Sequence, residues 1–264
     1  MPSPEPPRPP RLPDSAVESA PTLAEQLVEL SALTGGLAHE IRNPLSTLKV
    51  NLQLLDEDWR QVESPDERRS CDFQDIARRS RVRIATLLSE ADHLDQILQD
   101  FLQYVGKREL RYAQQDVNRL VSDLVDFYRP QAEAHRIDLR CSLADDPPVC
   151  EIDQTAVKQA ILNLLINAQQ AMANGGQLYI QVGKHGDSMV RIDVIDTGPG
   201  IAEDQQQRVF EAYYSTKKGG SGLGLATTRQ IIRAHDGQVL LYSEPGRGSC
   251  FTILLPRRQS CARE

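Results

Sequence analysis

Apolar residues at steps of three and four between positions 30 and 55 constrain the fold of this chain more than any other feature. The set consists of Leu30, Leu33, Leu37, Ile41, Leu45, Leu48, Leu52 and Leu55. Such spacing follows one face of an α-helix, in which successive residues are about 100° apart around the axis. His39 lies two residues from both Leu37 and Ile41, so it points about 200° away from that face. The pattern predicts a helix from about Thr22 to about Asp58 with His39 exposed to solvent.

A second apolar stripe predicts that the chain turns back after this helix. A polar break at residues 64–66 (SPD) precedes it, and the second helix runs from about Asp66 or Asp72 to about Tyr104. The stripe contains Ile76, Ile84, Leu87, Leu88, Ala91, Leu94, Ile97, Leu98, Phe101 and Leu102. One antiparallel hairpin cannot cover both stripes, so we expect a homodimer in which two hairpins form a four-helix bundle.

Residues 107–257 have a different character, because shorter helical patterns alternate there with β-like segments and a glycine-rich region. We expect an α/β-sandwich domain, which makes the whole chain α+β in class. The predicted strands are 110–117, 137–143, 177–182, 189–196, 238–242 and 250–255. The predicted helices are 118–135, 153–173 and 223–235, the last followed by Gly237 as its C′ residue.

Two short segments flank these predicted domains. Residues 1–22 are dense in proline and cannot form a helix or a central strand, so we expect disorder there, with a proline-rich docking ligand as the alternative. Residues 258–264 form a tail. The predicted organisation is therefore a lead at 1–22, a hairpin at 23–106, a sandwich domain at 107–257 and the tail.

The composition argues against several classes of protein. The formal net charge of −7 and the aromatic content of 5% are unlike those of a general nucleic-acid binder, which usually has a basic face. No apolar run approaches the roughly 18–20 residues of a membrane-spanning helix, and no signal peptide is apparent. The five cysteines are odd in number and never spaced as Cys-x-x-Cys, which argues against disulfides and zinc. We expect a soluble, cytoplasmic protein.

The neighbours of His39 favour a chemical role for its side chain. A lone histidine on a polar helix face is usually only a solvated residue. Here Glu40 can accept a proton from one ring nitrogen and leave the other nucleophilic. Asn43 lies one turn further along the helix and can orient a water or a phosphoryl oxygen. Pro44 removes a backbone donor and should kink or loosen the helix beside the imidazole.

Three motifs in the second domain each carry a weak indication of nucleotide binding. In residues 163–168 (NLLINA), Asn163 and Asn167 share one face of an apolar helix, and an amide oxygen suits Mg²⁺. The alternative is that both asparagines hold a neighbouring loop. In residues 194–200 (VIDTGPG), Asp196 can accept a hydrogen bond from an exocyclic amine, while Gly198 and Gly200 permit a sharp turn against a flat ring. A plain tight turn is the alternative, and an aspartic protease would need a second such motif.

The third motif is a glycine run, residues 219–226 (GGSGLGLA), that leads directly into a predicted helix. Glycines permit close approach to phosphate oxygens, and the first free N–H groups of a helix bind anions. A Rossmann interpretation fails, because no βαβ unit surrounds the run. The candidate phosphate-binding residues are Gly220, Gly222, Leu223 and Gly224.

Residues 39–45 (HEIRNPL) resemble the phosphoacceptor box of bacterial two-component sensor histidine kinases, and the resemblance covers about residues 25–256. It implies that His39 is phosphorylated from ATP and passes the phosphoryl group to an aspartate of a response regulator. It also implies that Glu40 and Asn43 assist, and that Asn43 makes dephosphorylation of the regulator plausible. The input would arrive through the N-terminal residues or from a separate sensor protein.

The same resemblance gives roles to the three nucleotide motifs. The asparagine helix resembles the N box, with Asn167 as the Mg²⁺ ligand and Asn163 assisting; Asp196 lies in the base-reading G1 box, and the glycine run resembles the G2 box. Residues 208–217 (RVFEAYYSTK) resemble the F box and ATP lid, with Thr216 and Lys217 near the phosphates. Family members often have Pro-Phe-Phe where this chain has Ala-Tyr-Tyr. The alternatives are a regulator-binding phosphatase, a pseudokinase scaffold of the same fold, or an ATPase of the gyrase and MutL kind.

Overall fold

The structure is a computed structural model that describes residues 23–63, 73–106, 109–186, 188–217 and 220–257. The predicted lead, the predicted break at residues 64–66 and the predicted tail lie outside these ranges. The described residues form two compact units. One unit contains the helical hairpin with Ser215–Ser221, and the other contains the rest of the residues from 109 onward.

Two long antiparallel helices form the hairpin. Helix α1 spans Leu23–Glu63 and continues through Pro44, and helix α2 spans Phe73–Val105. Leu33, Ile76, Ile97 and Tyr104 are buried in the hairpin, which confirms the helical spacing of the apolar residues. No helix in the described part of the chain is long and apolar enough to cross a membrane.

A buried ion pair joins the two helices near the tip of the hairpin. The carboxylate of Asp58 on α1 pairs with the guanidinium of Arg83 on α2, and Arg79 lies 3.5 Å from the same carboxylate. Arg83 also donates to the carbonyl oxygen of Leu54 at 2.5 Å. Because Asp58 is only 5% exposed, these bonds compensate for removing its charge from water.

The second unit alternates strands and helices as the sequence predicts, with additional short elements. In chain order they are β1 (Ala113–Asp116), α3 (Val117–Ala134), β2 (Ile137–Ser142), β3 (Val149–Ile152), α4 (Gln154–Ala171), β4 (Gly176–His185), β5 (Met189–Asp196), α5 (Glu203–Gln206), α6 (Gly224–Ala234), β6 (Gln238–Glu244) and β7 (Gly248–Pro256). Strand β3 and helix α5 have four residues each and were not expected, because so short a segment carries no measurable periodicity.

Five strands form one mixed sheet in the order β2-β4-β5-β7-β6. Only β2 and β4 run parallel, and the remaining neighbours are antiparallel. Strands β1 and β3 form a separate two-stranded sheet. Helices α3, α4 and α6 pack against the large sheet and bury its inner side chains, which include Val190, Ile192, Val194, Phe251, Ile253 and Leu255. This arrangement confirms the predicted sandwich.

Two details near helix caps differ from the sequence prediction. The predicted strand at 110–117 begins at Ala113, and Asp116 ends it because its carboxylate caps α3 by accepting from the backbone N–H of Arg119 at 3.1 Å. At the end of α6 the left-handed C′ residue is Asp236, with φ of 54°, so the assignment of that role to Gly237 is wrong by one position. Position 237 requires glycine for a different reason, because no side chain fits there: an added Cβ would lie 2.4 Å from the carbonyl oxygen of Leu254.

Candidate functional site

His39 is exposed near the middle of α1, as the spacing of the apolar residues predicts. Glu40 is half-buried and Asn43 is exposed. Among the described residues, the His39 and Glu40 side chains form no hydrogen bond or ion pair with each other, so the structure does not bring the expected acid onto the ring. What it provides is an exposed imidazole on a continuous helix, which a reactant can approach from solvent.

Helix α4 holds the two predicted asparagines, and they are not equivalent. Asn163 donates its amide to the carbonyl oxygen of Gly224 at 3.1 Å, and its own oxygen accepts from Gln159 at 2.9 Å. Its oxygen is therefore already engaged within the protein, which supports the alternative of an asparagine that holds a neighbouring element. Asn167 lies one turn further along the same helix and is half-buried.

Asp196 ends the central strand β5 and is buried, with only 2% exposed. One of its carboxylate oxygens accepts from the backbone N–H of Gly198 at 2.8 Å, which tightens the turn. Gly200 has a φ of 72°, and an added Cβ there would lie 2.2 Å from the carbonyl oxygen of Glu244. The turn after Asp196 therefore needs glycine both for its left-handed backbone and for close packing on the β6–β7 connection.

Gly248 also packs against Asp196, although it lies between two of the predicted strands, 238–242 and 250–255. Its φ is 107°, and an added Cβ would lie 1.9 Å from the carbonyl oxygen of Asp196. Strand β7 then pairs Ser249 with Asp196. Nothing in the sequence indicated this contact, because Gly248 and Asp196 are far apart in the chain.

The glycine run reaches α6 through a tight turn at Gly222. Its φ is 66°, and an added Cβ would lie 2.6 Å from the carbonyl carbon of Tyr213. Leu223 is buried, whereas Gly224 begins α6 with no atom within 4 Å of an added Cβ. The first turn of α6 thus has open space beside its backbone, as an anion site at a helix N-terminus requires.

Aromatic residues of segment 208–217, the predicted F box and ATP lid, pack within the sandwich domain. Phe210 is buried and meets Phe251 edge to face at 6.2 Å. The guanidinium of Arg208 lies 4.3 Å from the ring centroid of Tyr214. The aromatic pair that replaces Phe-Phe in this chain therefore still provides an anchor, through Tyr214 and its cation–π contact.

Residues 215–217 form a small local turn within the first unit. The hydroxyl of Ser215 accepts from the backbone N–H of Lys217 at 3.1 Å and donates to its carbonyl oxygen at 3.3 Å. Thr216 is exposed and Lys217 is half-buried. An added Cβ at Gly220 would lie 3.0 Å from the Ser215 hydroxyl.

The predicted magnesium site relies on amide oxygens, not on a cluster of charged ligands. Among the described residues, no three His, Cys, Asp or Glu side chains lie close enough together to hold a metal ion. A cation with few protein ligands, such as Mg²⁺ bound to phosphates and water, fits this donor set.

Two family descriptions match the two parts of this chain. Residues 29–110 match the "His Kinase A (phospho-acceptor) domain", and residues 152–259 match the "Histidine kinase-, DNA gyrase B-, and HSP90-like ATPase". His39, Glu40 and Asn43 lie in the first region, and the asparagine helix, the Asp196 turn and the glycine run lie in the second.

Curated relatives align across both regions. The signal transduction histidine-protein kinase AtoS of Escherichia coli K12 is 32% identical over 88% of this chain and 36% of its own length. The sensor histidine kinase ZraS of the same organism is 33% identical over 88% of this chain and 46% of its own length. The chain therefore spans about a third to a half of the length of these relatives.

Solved histidine kinases share the fold. ThkA, solved in complex with the response regulator protein TrrA, superposes with a TM-score of 0.69 at 23% identity, over 89% of this chain and 64% of that one. Full-length ShkA, solved with AMPPNP, gives a TM-score of 0.59 at 26% identity, over 88% of this chain and 47% of that one. Since the two family descriptions match successive parts of this chain and curated histidine kinases align over 88% of it, the chain belongs to the two-component sensor histidine kinases.

Proposed function

We propose that this chain transfers the γ-phosphoryl group of ATP to His39 and then to an aspartate of a response regulator. The observation that carries the proposal is the exposed imidazole of His39 on a phospho-acceptor hairpin, in the same chain as an ATP-binding domain. The proposal locates this part of the protein in the cytoplasm, where ATP and response regulators are available.

The chemistry requires positioning more than covalent participation of the protein. A ring nitrogen of His39 attacks the γ-phosphorus, the bond from that phosphorus to the β–γ bridging oxygen breaks, and ADP leaves with the electron pair. We assign Glu40 to hold a proton on the other ring nitrogen once nucleotide is bound. The P–N bond formed is labile, which suits onward transfer to a carboxylate.

We assign separate groups of the sandwich domain to the adenine base, the phosphates and Mg²⁺. The buried carboxylate of Asp196 accepts from the exocyclic amine of adenine, and the free N–H groups at Gly224 face the phosphates. Asn167 would hold Mg²⁺, which neutralises phosphate charge when bound. Lys217 adds a positive charge from the lid. The AMPPNP in the ShkA structure supports a nucleotide site in this family.

Three exposed apolar residues on the hairpin support transfer to a protein partner. On α1, Val50 and Leu54 are 52% and 37% exposed, and on α2 Val82 is 64% exposed. Val50 and Leu54 lie eleven and fifteen residues beyond His39, which places them within about 60° of it around the helix. We therefore propose that the receiver domain packs on Val50, Leu54 and Val82 while its aspartate faces His39.

A different apolar stripe on the hairpin supports a homodimer. On α2 the exposed residues recur as a heptad at Ile84, Leu88, Ala91, Leu98, Leu102 and Val105. On α1 Leu45, Leu52 and Trp59 recur at steps of seven and are 44–56% exposed. Because exposed heptad stripes on both helices are stabilised when a second hairpin covers them, we propose a four-helix bundle of two chains.

Val82 and Leu88 provide a matched pair of substitutions, since both are 64% exposed but point about 120° apart around α2. Leu88→Glu should give monomers in sedimentation while leaving the hairpin helical. Val82→Glu should leave the dimer and His39 phosphorylation intact but slow transfer to the regulator. Equal effects of both substitutions on oligomeric state would contradict the assignment of the two faces.

The exposed amide of Asn43 favours a second activity on the same hairpin, dephosphorylation of the regulator. An amide one turn from His39 can orient the water that attacks an acyl phosphate. Asn43→Ala should then extend the lifetime of a regulator that has been phosphorylated beforehand with acetyl phosphate. An unaltered lifetime would remove Asn43 from this role.

The test of the main proposal is incubation of the whole protein with γ-labelled ATP and Mg²⁺, followed by acid and alkali treatment. Acid-labile, alkali-stable label should appear in the unaltered protein and in His93→Gln, which changes the other histidine of the hairpin. His39→Gln should bind nucleotide but take up no label. Label that persists in His39→Gln would sink the assignment, and nucleotide binding without label in the unaltered protein would favour a phosphatase-dominant member.

A further inference from the structure

His235, immediately after α6, is buried and has defined partners on both ring nitrogens. It is 3% exposed. Its Nε2 accepts from the backbone N–H of Asp153 at 3.0 Å, and its Nδ1 lies 2.7 Å from the carbonyl oxygen of Ile231. A backbone N–H can only donate and a carbonyl can only accept, so these partners require the neutral ring with its proton on Nδ1. In the sequence, His235 is distinguished only as the last residue of the predicted helix 223–235.

This bond is one of the polar contacts between α4 and α6 in the described part of the chain. At the start of α6, Asn163 donates to the carbonyl oxygen of Gly224 at 3.1 Å. One turn later, the hydroxyl of Thr228 donates to the same carbonyl oxygen at 2.9 Å and lies 3.3 Å from the carbonyl oxygen of Ala160. His235 then joins the far end of α6 to Asp153, the N-cap residue of α4. Helix α6 is thus held to α4 near its first turn and at its far end.

The segment that enters the domain from the hairpin is attached at the same point. The ring of Tyr112 meets His235 edge to face at 5.3 Å, and its hydroxyl donates to the carbonyl oxygen of Ala234 at 2.6 Å. The backbone N–H of Arg111 donates to the Asp153 carboxylate at 2.9 Å. His235 therefore contacts α4, α6 and the incoming segment together.

We propose that His235 is a positioning residue for ATP: by holding the end of α6 on Asp153, it fixes the direction in which the first turn of α6 meets the phosphates. This inference rests on the proposed function of the site. Helix α6 has eleven residues and behaves as a rod about 16 Å long. Without the bond at its far end, the half-buried N–H of Asp153 loses its acceptor, so the helix ends shift to satisfy it. The rod then pivots on the bond between Asn163 and Gly224, which changes the orientation of its first turn.

Two substitutions separate this role from simple packing. His235→Asn keeps a donor for the Ile231 carbonyl but is too short to reach the N–H of Asp153. His235→Gln is long enough to place an acceptor near the position of Nε2. Both lose the ring contact with Tyr112, so packing alone predicts equal effects. A matched control is His135→Asn, because His135 ends α3 with Nδ1 2.9 Å from the carbonyl oxygen of Gln131 but is exposed.

The measurements are the affinity for a fluorescent ATP analogue and the ATP dependence of His39 phosphorylation, at a temperature where melting curves show every variant folded. His235→Asn should lower the affinity about tenfold and raise KM for ATP, with the rate at saturating ATP little changed. His235→Gln and His135→Asn should bind within about threefold of the unaltered protein. Equal affinities for the Asn and Gln variants of His235, or losses that simply follow melting temperature, would overturn the inference. Absence of ATP binding by the unaltered protein would instead refute the proposed function.

Discussion

Alanine substitutions at Gly222 and Gly224, two residues apart in the glycine run, should have opposite effects on stability. Gly222 has a φ of 66°, and an added Cβ would lie 2.6–2.8 Å from backbone atoms of Tyr213 and Tyr214. Gly224 has no atom within 4 Å of an added Cβ and begins a helix. The pair therefore compares a glycine that the fold requires with one that the fold does not.

The magnitudes follow from these contacts. An alanine in the left-handed region costs about 1–2 kcal/mol, before any clash. At Gly222 the clashing atoms are backbone, so no rotamer change relieves them, and Tyr213 already has a φ of 63°. We expect Gly222→Ala to lower the free energy of unfolding by at least about 2 kcal/mol. Alanine in place of helical glycine stabilises by about 0.5–1 kcal/mol, so Gly224→Ala should be neutral or stabilising.

The assay is urea unfolding of the full chain together with titration of an ATP analogue. Gly222→Ala should lose stability and bind the analogue more than about tenfold less tightly, because the turn before α6 is displaced. Gly224→Ala should keep its stability and still lose affinity, because the methyl group occupies the space beside the first turn of α6. A Gly222→Ala variant as stable as the unaltered protein, or an unfolded Gly224→Ala variant, would refute the reasoning.

Three further outcomes are expected from buried polar groups. Asp58→Ala should lower the free energy of unfolding of the hairpin, measured in urea, by about 3 kcal/mol. The substitution leaves the guanidinium of Arg83 without its carboxylate, and the Arg83 side chain is only 18% exposed. A loss under about 1 kcal/mol would show that water replaces the carboxylate as the partner of Arg83. Burial opposes ionisation of Asp153, but backbone N–H donors outweigh burial and lower the pKa of this carboxyl. The carboxylate therefore stabilises the fold fully above the unfolded pKa of about 3.9, and this stabilisation is lost as the pH falls below that value. Asp153→Asn should flatten the pH dependence of the melting temperature between about pH 5 and 2, and an unchanged pH profile would contradict this. Burial raises the pKa of Cys150 and of Cys250 to about 11, so neither thiol should react with an alkylating reagent in the native protein at pH 8. Mass spectrometry should find both thiols alkylated only when the protein is unfolded in urea. Alkylation of either thiol in the native protein would show that the sheet opens locally.

The elements that the sequence predicts well are those with a long, repeated local pattern. Two helices of more than thirty residues repeat their apolar spacing many times, so the hairpin and the exposure of His39 follow from periodicity. The strand that ends at Asp196 was predicted with its observed bounds, because an apolar run stops at glycines. Both cases depend only on neighbours along the chain.

The features that the sequence did not predict depend on residues that are distant in the chain. Asp153 and His235 are 82 positions apart, and nothing near His235 distinguishes it from a surface residue. The contact of Gly248 with the carbonyl oxygen of Asp196 likewise arises only when β7 pairs with β5. After α6 the residue with left-handed backbone is Asp236, although Gly237 follows it. The position of the last helical hydrogen bond decides which residue turns left-handed, and residue type alone does not.

The order of strands in the large sheet has a consequence for how this protein is made. Strand β7 is the last of the described elements, yet it lies between β5 and β6 and contacts Asp196 through Gly248. During synthesis on the ribosome, the edge of β5 that pairs with β7 therefore stays unpaired until residue 256 has emerged. Because Gly248 packs directly on the carbonyl oxygen of Asp196, the turn after Asp196 reaches its folded geometry only after β7 has joined the sheet.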